Sequence, residues 1–197
     1  MQGKIKPSKT HHFIKLLQDK NLLQRMYTQN IDTLESKAGI DKDKLVEAHG
    51  SFSTACCINC KKPVEDMNQF WDTITNYKIP MCDSCNFLVR PDVVFFGESP
   101  PDRFFQLHNE DLKSADLLIV MGTSLVVYPF ASLVNMVPLL TPRVLFNKEL
   151  VGPFQKVDSP INYRDVAFVG DCDTAAETLV SLLSWEEEFN QIVANSK

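Results

Sequence analysis

Two cysteine pairs constrain this chain more than any other feature. Cys57-x-x-Cys60 and Cys82-x-x-Cys85 have twenty-one residues between them. A two-residue gap lets one turn aim both sulfurs at a single tetrahedral ion, and two such turns close the four-thiolate shell of one structural zinc. Four protein ligands leave no position for water, so the metal organises a module and performs no chemistry. Cys56, next to Cys57, leaves two registers open, of which Cys57 repeats the spacing of the second pair. Clustered cysteines in a reducing compartment hold a metal as a rule, with a redox pair as the alternative.

The texture around the pairs differs from the rest. Between them Met67, Phe70, Trp71 and Ile74 mark one helical face. We therefore expect a small zinc-binding module over 53–90, inserted into a main domain formed by 1–52 and 91–197. With 197 residues the chain is long enough for such a core and satellite.

Outside the module, strand and helix patterns alternate. Helices are predicted from Ser8 to Lys20, from Thr33 to a left-handed cap at Gly39, from Pro101 to Ser114, after Pro129, and from a cap at Asp173, with an amphipathic tail from Trp185. Strands are predicted at Leu22–Tyr27, Leu45–Ala48, Asp92–Phe96, Leu117–Met121, Arg143–Phe146 and Val166–Val169, with 151–164 as a loop. This alternation is the pattern of an α/β fold, a doubly wound parallel sheet covered on both faces. Ligands of such sheets bind outside the carboxyl ends of the strands. Four polar or small clusters end strand patterns here: Gln29 to Asp32, Gly122 to Ser124, Asn147 to Glu149, and Gly170 to Asp173. All four are expected along one rim, facing a nucleotide-like ligand.

The segment Tyr27-Thr28-Gln29-Asn30-Ile31-Asp32, followed by Glu47-Ala48-His49-Gly50, offers amides, a carboxylate and an imidazole at neighbouring segment ends. That set suits a sugar-like ligand with one general base, and equally a pair of solvated loops around a hydrogen-bonded histidine. A net charge of −5 and a pI near 5.4 argue against nucleic acid as the main partner, because no basic excess exists to neutralise phosphates. The first seven residues lack the apolar core of a signal peptide, and the apolar runs are too short to span a bilayer, so we expect an intracellular protein, cytoplasmic or nuclear, with no membrane partner.

Taken together, the 27–32 and 47–50 segments, the cysteine pairs, Pro91-Asp92-Val93-Val94-Phe95-Phe96-Gly97-Glu98 and Gly122-Thr123-Ser124-Leu125 resemble the sirtuin family in order and spacing. The likeness is nearest the class I branch that contains the cytosolic tubulin deacetylase, and it runs along nearly the whole chain. It implies a Rossmann-like fold and NAD-dependent removal of acetyl groups from protein lysines, such as those of histones or tubulin. Nicotinamide leaves, and the acetyl group passes to ADP-ribose. His49 matches the general base that deprotonates a ribose hydroxyl. Asn30 and Asp32 match residues holding the ribose and the nicotinamide amide, with Gln29 and Ile31 beside them. Gly122, Thr123 and Ser124 match the turn facing the cofactor. Asn147, Lys148 and Glu149 match the adenosine-side loop, and Cys172 matches a residue lining the adenine pocket, where a small buried hydrophobe would look the same. Val93, Val94, Phe95, Phe96 and Gly97 match the strand edge that clamps an extended substrate peptide by backbone pairing.

The likeness departs at the start. Sirtuins carry a first strand and a glycine-rich phosphate loop upstream of the first helix found here. This chain contains no Gly-x-Gly anywhere, and Gly3 is its sole glycine before Gly39. The expectation is an N-terminally shortened chain lacking the amide donors for the pyrophosphate, which binds NAD weakly or not at all. A zinc-bearing, catalytically impaired module that binds proteins is the alternative function.

Overall fold

The computed structural model describes residues 5–196, so the reading of the first four residues, Gly3 included, lies outside the described residues. In chain order the elements are α1 (Lys9–Asp19), β1 (Met26–Thr28), α2 (Leu34–Lys37), β2 (Leu45–Glu47), β3 (Gly50–Cys57), α3 (Met67–Thr75), β4 (Val89–Val93), α4 (Asp102–Ser114), β5 (Leu118–Met121), β6 (Arg143–Asn147), β7 (Asp165–Val169), α5 (Cys172–Leu182) and α6 (Glu186–Asn195). They fall into two units. One takes the chain up to Met26, Leu34–Val46 and everything from Arg103 onward; the other takes Tyr27–Thr33 and Glu47–Asp102.

The first unit is built on a parallel sheet in the order β5-β6-β7, with Val120 opposite Leu145 and Leu145 opposite Ala167. Successive strand residues face opposite sides, and in the central strand both sides are buried. Phe146 joins Phe13, Leu16, Ala176, Val180 and Phe189 on the face covered by α1, α5 and α6. Leu145 joins Val120, Val134, Val151 and Phe154 on the other. Phe13, Leu145 and Phe154 are fully buried, and each such side chain stabilises the fold by about 1.5–3 kcal/mol.

Several local features differ from expectation. The segment after Pro129 forms a 3-10 helix, Phe130–Asn135, and the stretch expected as loop contains another, Gly152–Lys156, because Phe154 is drawn into the core. The strand expected from Leu22 starts at Met26: Asn21 turns left-handed at the end of α1, and the Leu22 and Leu23 amides both bond back to the Leu17 carbonyl. Gly39 takes the expected left-handed cap after α2, with φ of 89°. Asp171, not Asp173, caps α5, accepting from the Asp173 and Thr174 amides. Asp173 instead accepts the Thr10 amide at 2.8 Å, capping the start of α1. Across the sheet end, Arg143, 5% exposed, forms a two-pronged pair with Asp165, at 2.7 Å from Nε and 2.6 Å from Nη2.

In the second unit β3 and β4 pair antiparallel, Gly50 opposite Val93 and Cys57 opposite Val89, with a bulge between Ser51 and Ala55. β3 has no counterpart in the sequence-based prediction, since Gly50-Ser51-Phe52-Ser53-Thr54 lacks an apolar alternation. β4 ends at Val93, three residues short of the prediction; beyond it Phe95 to Glu98 close a turn in which the Glu98 amide donates to the Phe95 carbonyl. β1 pairs with β2 in a two-stranded sheet of its own. The clusters after β5, β6 and β7 therefore share one rim, and the cluster after β1 is not on that sheet. Among the described residues no helix is long and apolar enough to cross a membrane.

Candidate functional site

The four sulfurs of Cys57, Cys60, Cys82 and Cys85 lie within 4.8 Å of one another. Cys57 to Cys85 is 3.4 Å, Cys60 to Cys82 is 3.7 Å, and Cys85 to Cys60 is 3.5 Å. A tetrahedron with metal–sulfur bonds of about 2.3 Å has edges of about 3.8 Å, so this set fits one structural zinc. The two knuckles are built alike. The Cys57 amide donates to the Lys62 carbonyl and the Lys61 amide returns to the Cys57 carbonyl; the Cys82 amide donates to Phe87 and Asn86 returns to Cys82. Lys61 and Asn86 supply the same left-handed turn, with φ of 60° and 56°. Cys56 stays outside the cluster, and burial pushes its thiol up. Within the cluster the Phe87 backbone draws Cys85 down to about 6, whereas Cys60, despite the pull of the Lys62 backbone, is pushed up to about 12 by sharing a hydrogen bond with Cys85.

In the same unit His49 is held at both ends. Its Nδ1 lies 3.0 Å from the Gln29 carbonyl, which only accepts, so Nδ1 carries the proton and Nε2 the lone pair of the neutral ring. Its own carbonyl accepts the Val94 amide at 2.9 Å. Gly50 makes this possible: at φ of 69° an added Cβ would stand 1.9 Å from the Asp92 carbonyl oxygen. Around it, the Asn30 amide bonds to Thr28 Oγ1 at 3.1 Å and the Ile31 carbonyl accepts from Phe52, leaving the Asn30 and Asp32 side chains exposed on one loop. The unit thus gathers Gln29, Asn30, Ile31, Asp32, His49, Val93 and Val94. Gly50 is part of the run that marks this segment in the sequence, and the structure adds its close approach to the Asp92 carbonyl. Phe95, Phe96 and Gly97 lie on the exposed turn beyond the strand, and Phe96 is fully exposed.

The first unit carries the remaining expected residues at the carboxyl ends of its parallel strands. Gly122, at φ of 58°, donates its amide to the Phe146 carbonyl, and the Cys172 sulfur donates to the same oxygen at 3.2 Å. A Cβ on Gly122 would touch that sulfur at 3.7 Å. Thr123 Oγ1 accepts the Leu125 amide, shaping the turn before the exposed Ser124. Asn147, 7% exposed, donates its side-chain amide to the Glu149 carbonyl at 2.9 Å and accepts the Gly170 amide on its own carbonyl at 2.8 Å. Lys148 and Glu149 are exposed between them. Burial, first among several influences, pushes the Cys172 thiol up, so it sits there as a neutral, compact side chain. A rim of backbone turns, hydroxyls and small residues at strand ends is the donor set that a nucleotide takes in open α/β sheets.

Comparison with known proteins gives the same direction. Residues 1–129 match the Sir2 family. The chain is 50% identical over 98% of its length to the NAD-dependent deacetylase sir2A of Dictyostelium discoideum, covering 39% of that protein. It is 46% identical over 97% of its length to the NAD-dependent protein deacetylase sirtuin-2 of Danio rerio, covering 54%, and 47% identical over 99% to sirtuin-3 of Mus musculus, covering 57%. The chain thus spans roughly half the length of these relatives, or less. With a family match over most of its residues and relatives alike along nearly all of them, this chain belongs to the Sir2 family.

Proposed function

We propose that the protein is an NAD-dependent protein-lysine deacetylase. The observation that carries this reading is the fixing of His49: Nδ1 is committed to the Gln29 carbonyl, so Nε2 is the nitrogen that takes a proton. When bound, NAD supplies the ribose carbon from which nicotinamide leaves and the ADP-ribose that accepts the acetyl group. His49 removes the proton from a ribose hydroxyl at Nε2, and Gln29 steadies the imidazolium that results. Asn30 and Asp32, with Gln29 and Ile31, hold the ribose and the nicotinamide amide. Gly122, Thr123 and Ser124 line the cofactor's approach, and Asn147, Lys148, Glu149 and Cys172 hold its adenosine part. Val93 and Val94, continuing into Phe95, Phe96 and Gly97, receive the extended acyl-lysine peptide by backbone pairing. One zinc on Cys57, Cys60, Cys82 and Cys85 keeps the module over 53–90 folded, while 1–52 and 91–197 form the NAD-binding domain.

The substrate is an acetylated protein lysine, with histone- and tubulin-type lysines the first to try. A cysteine cluster suited to zinc is at home in a reducing compartment, which supports a cytoplasmic or nuclear location. The test is deacetylation of an acetyl-lysine peptide by the 197-residue chain, with and without NAD, alongside zinc content. Product that requires NAD supports the reading. No product from a folded, zinc-loaded chain overturns it for this chain and favours a protein-binding module.

A further inference from the structure

Three serine or threonine residues precede a proline: Ser99, Thr141 and Ser159. A proline-directed kinase must draw the hydroxyl, on an extended segment, into its own site, so exposure and backbone form decide among them. Thr141 is 6% exposed and its hydroxyl donates to the Ala115 carbonyl at 3.0 Å. Ser159 is half-buried inside a turn, with its amide on the Lys156 carbonyl and its own carbonyl taking the Asn162 amide. Ser99 is exposed, in a segment that is neither helix nor strand, with no hydrogen-bond partner for its hydroxyl among the described residues. Pro100 and Pro101 hold that segment extended.

The residue before it is tied to an arginine on β4. Glu98 is paired with Arg90, Nη1 to Oε1 at 2.8 Å and Nη2 to Oε2 at 3.0 Å, and Oε2 also accepts the Phe95 amide at 3.0 Å. The Arg90 guanidinium lies over the Phe95 ring at 5.1 Å. Lys61 also faces Glu98. The Arg90–Glu98 side chains are 38% and 40% exposed, so solvent screens the pair and a competing anion can replace the carboxylate. A phosphoserine carries close to two negative charges and three acceptor oxygens, and it takes a guanidinium in two-pronged fashion.

We propose that Ser99 is a phosphorylation site for a proline-directed kinase and that its phosphate takes Arg90 from Glu98. In the transfer Ser99 Oγ attacks the γ-phosphorus of ATP held by the kinase. The Oγ–P bond forms, the bond from that phosphorus to the β–γ bridging oxygen breaks, ADP leaves, and the hydroxyl proton passes to the kinase's base. Glu98 keeps the Phe95 amide but loses its bracing partner on β4. The turn it braces, Phe95 to Glu98, includes Phe95, Phe96 and Gly97, which are proposed to receive the acyl-lysine peptide; that consequence alone rests on the functional reading above.

The experiment treats the 197-residue chain with ATP and a proline-directed kinase and reads intact mass. About one phosphate per chain is expected, falling by about tenfold or more in Ser99→Ala and persisting in Ser159→Ala. No incorporation, or incorporation unchanged in Ser99→Ala, overturns the site. In arginine-labelled protein, the Arg90 Nε–H resonance, identified by its loss in Arg90→Lys, should move on phosphorylation. A resonance that stays in place overturns the exchange of partners. Neither readout uses deacetylation, so failure here is distinct from failure of the enzymatic reading.

Discussion

His49 donates its Nδ1–H to the Gln29 carbonyl across 3.0 Å, joining two loops that are twenty residues apart in sequence. The bond sets the tautomer, and the tautomer decides which nitrogen would act in the proposed base role. A positioned general base contributes about 10²–10⁴-fold to a rate. We expect His49→Tyr, made in an active form of the protein, to lower turnover by that order while zinc content stays at the wild-type level. Deacetylation at the wild-type rate would refute the assignment.

Gly50→Ala should destabilise the second unit. The backbone is left-handed there and the new methyl meets the Asp92 carbonyl at 1.9 Å. The conformational and steric costs together come to about 2–5 kcal/mol. Chemical denaturation followed at Trp71, which packs against Phe52 and Phe70 in the same unit, reads the change.

Zinc should be present at one ion per chain, and removing it should melt that unit. Structural zinc contributes on the order of 10 kcal/mol in small modules. Cys82→Ser is expected to lose the metal and the cooperative transition together, as measured by atomic absorption and thermal denaturation. Cys56→Ser, whose sulfur lies outside the cluster, should keep both.

Asp173 ties stability to acid. Burial pushes its carboxyl up, but hydrogen bonds from the Thr10 hydroxyl and amide, with Ser8 and Lys9, pull harder, so its folded-state value lies below the ordinary 3.8. A depressed carboxylate stabilises the fold fully above its unfolded value, and that stability is lost as the pH falls through the folded one. Thermal melts should therefore show wild type losing stability below about pH 4, and Asp173→Asn should be less stable at neutral pH with a shallower loss in acid. Parallel profiles for the two proteins would contradict the assignment.

Asp165→Asn should cost about 3–5 kcal/mol, because it strands a buried guanidinium. Arg143 is 5% exposed and also donates Nη1 to the Val134 carbonyl at 3.0 Å, so its burial limits how far solvent can replace the carboxylate. Urea unfolding measures it directly.

Much of this protein was legible from local chemistry. The zinc knuckles are turns of four or five residues, and their spacing alone predicts them; the structure adds that Cys57, not Cys56, turns inward. The strand ends at Gly122, Asn147 and Gly170 were readable because an apolar run stops at a polar or small residue wherever the backbone leaves a buried sheet. The helix from Lys9 was readable from its periodicity and cap, whereas its true N-terminal partner, Asp173, was not. Asp173 sits at the start of another helix, where a carboxylate equally suits its own cap.

What the sequence by itself determined is the set of pieces: four thiols for one metal, a parallel α/β core, and an imidazole beside a glycine. Each depends on neighbours a few residues away, where spacing and propensity act directly. Only the tertiary structure decided that β4 runs against β3 and ends at Val93, that Asp92 occupies the space Gly50 leaves, and that Arg90 braces Glu98. These are contacts between segments about eight to forty residues apart, and they arise from where the folded backbone brings groups with no mutual signal in the sequence.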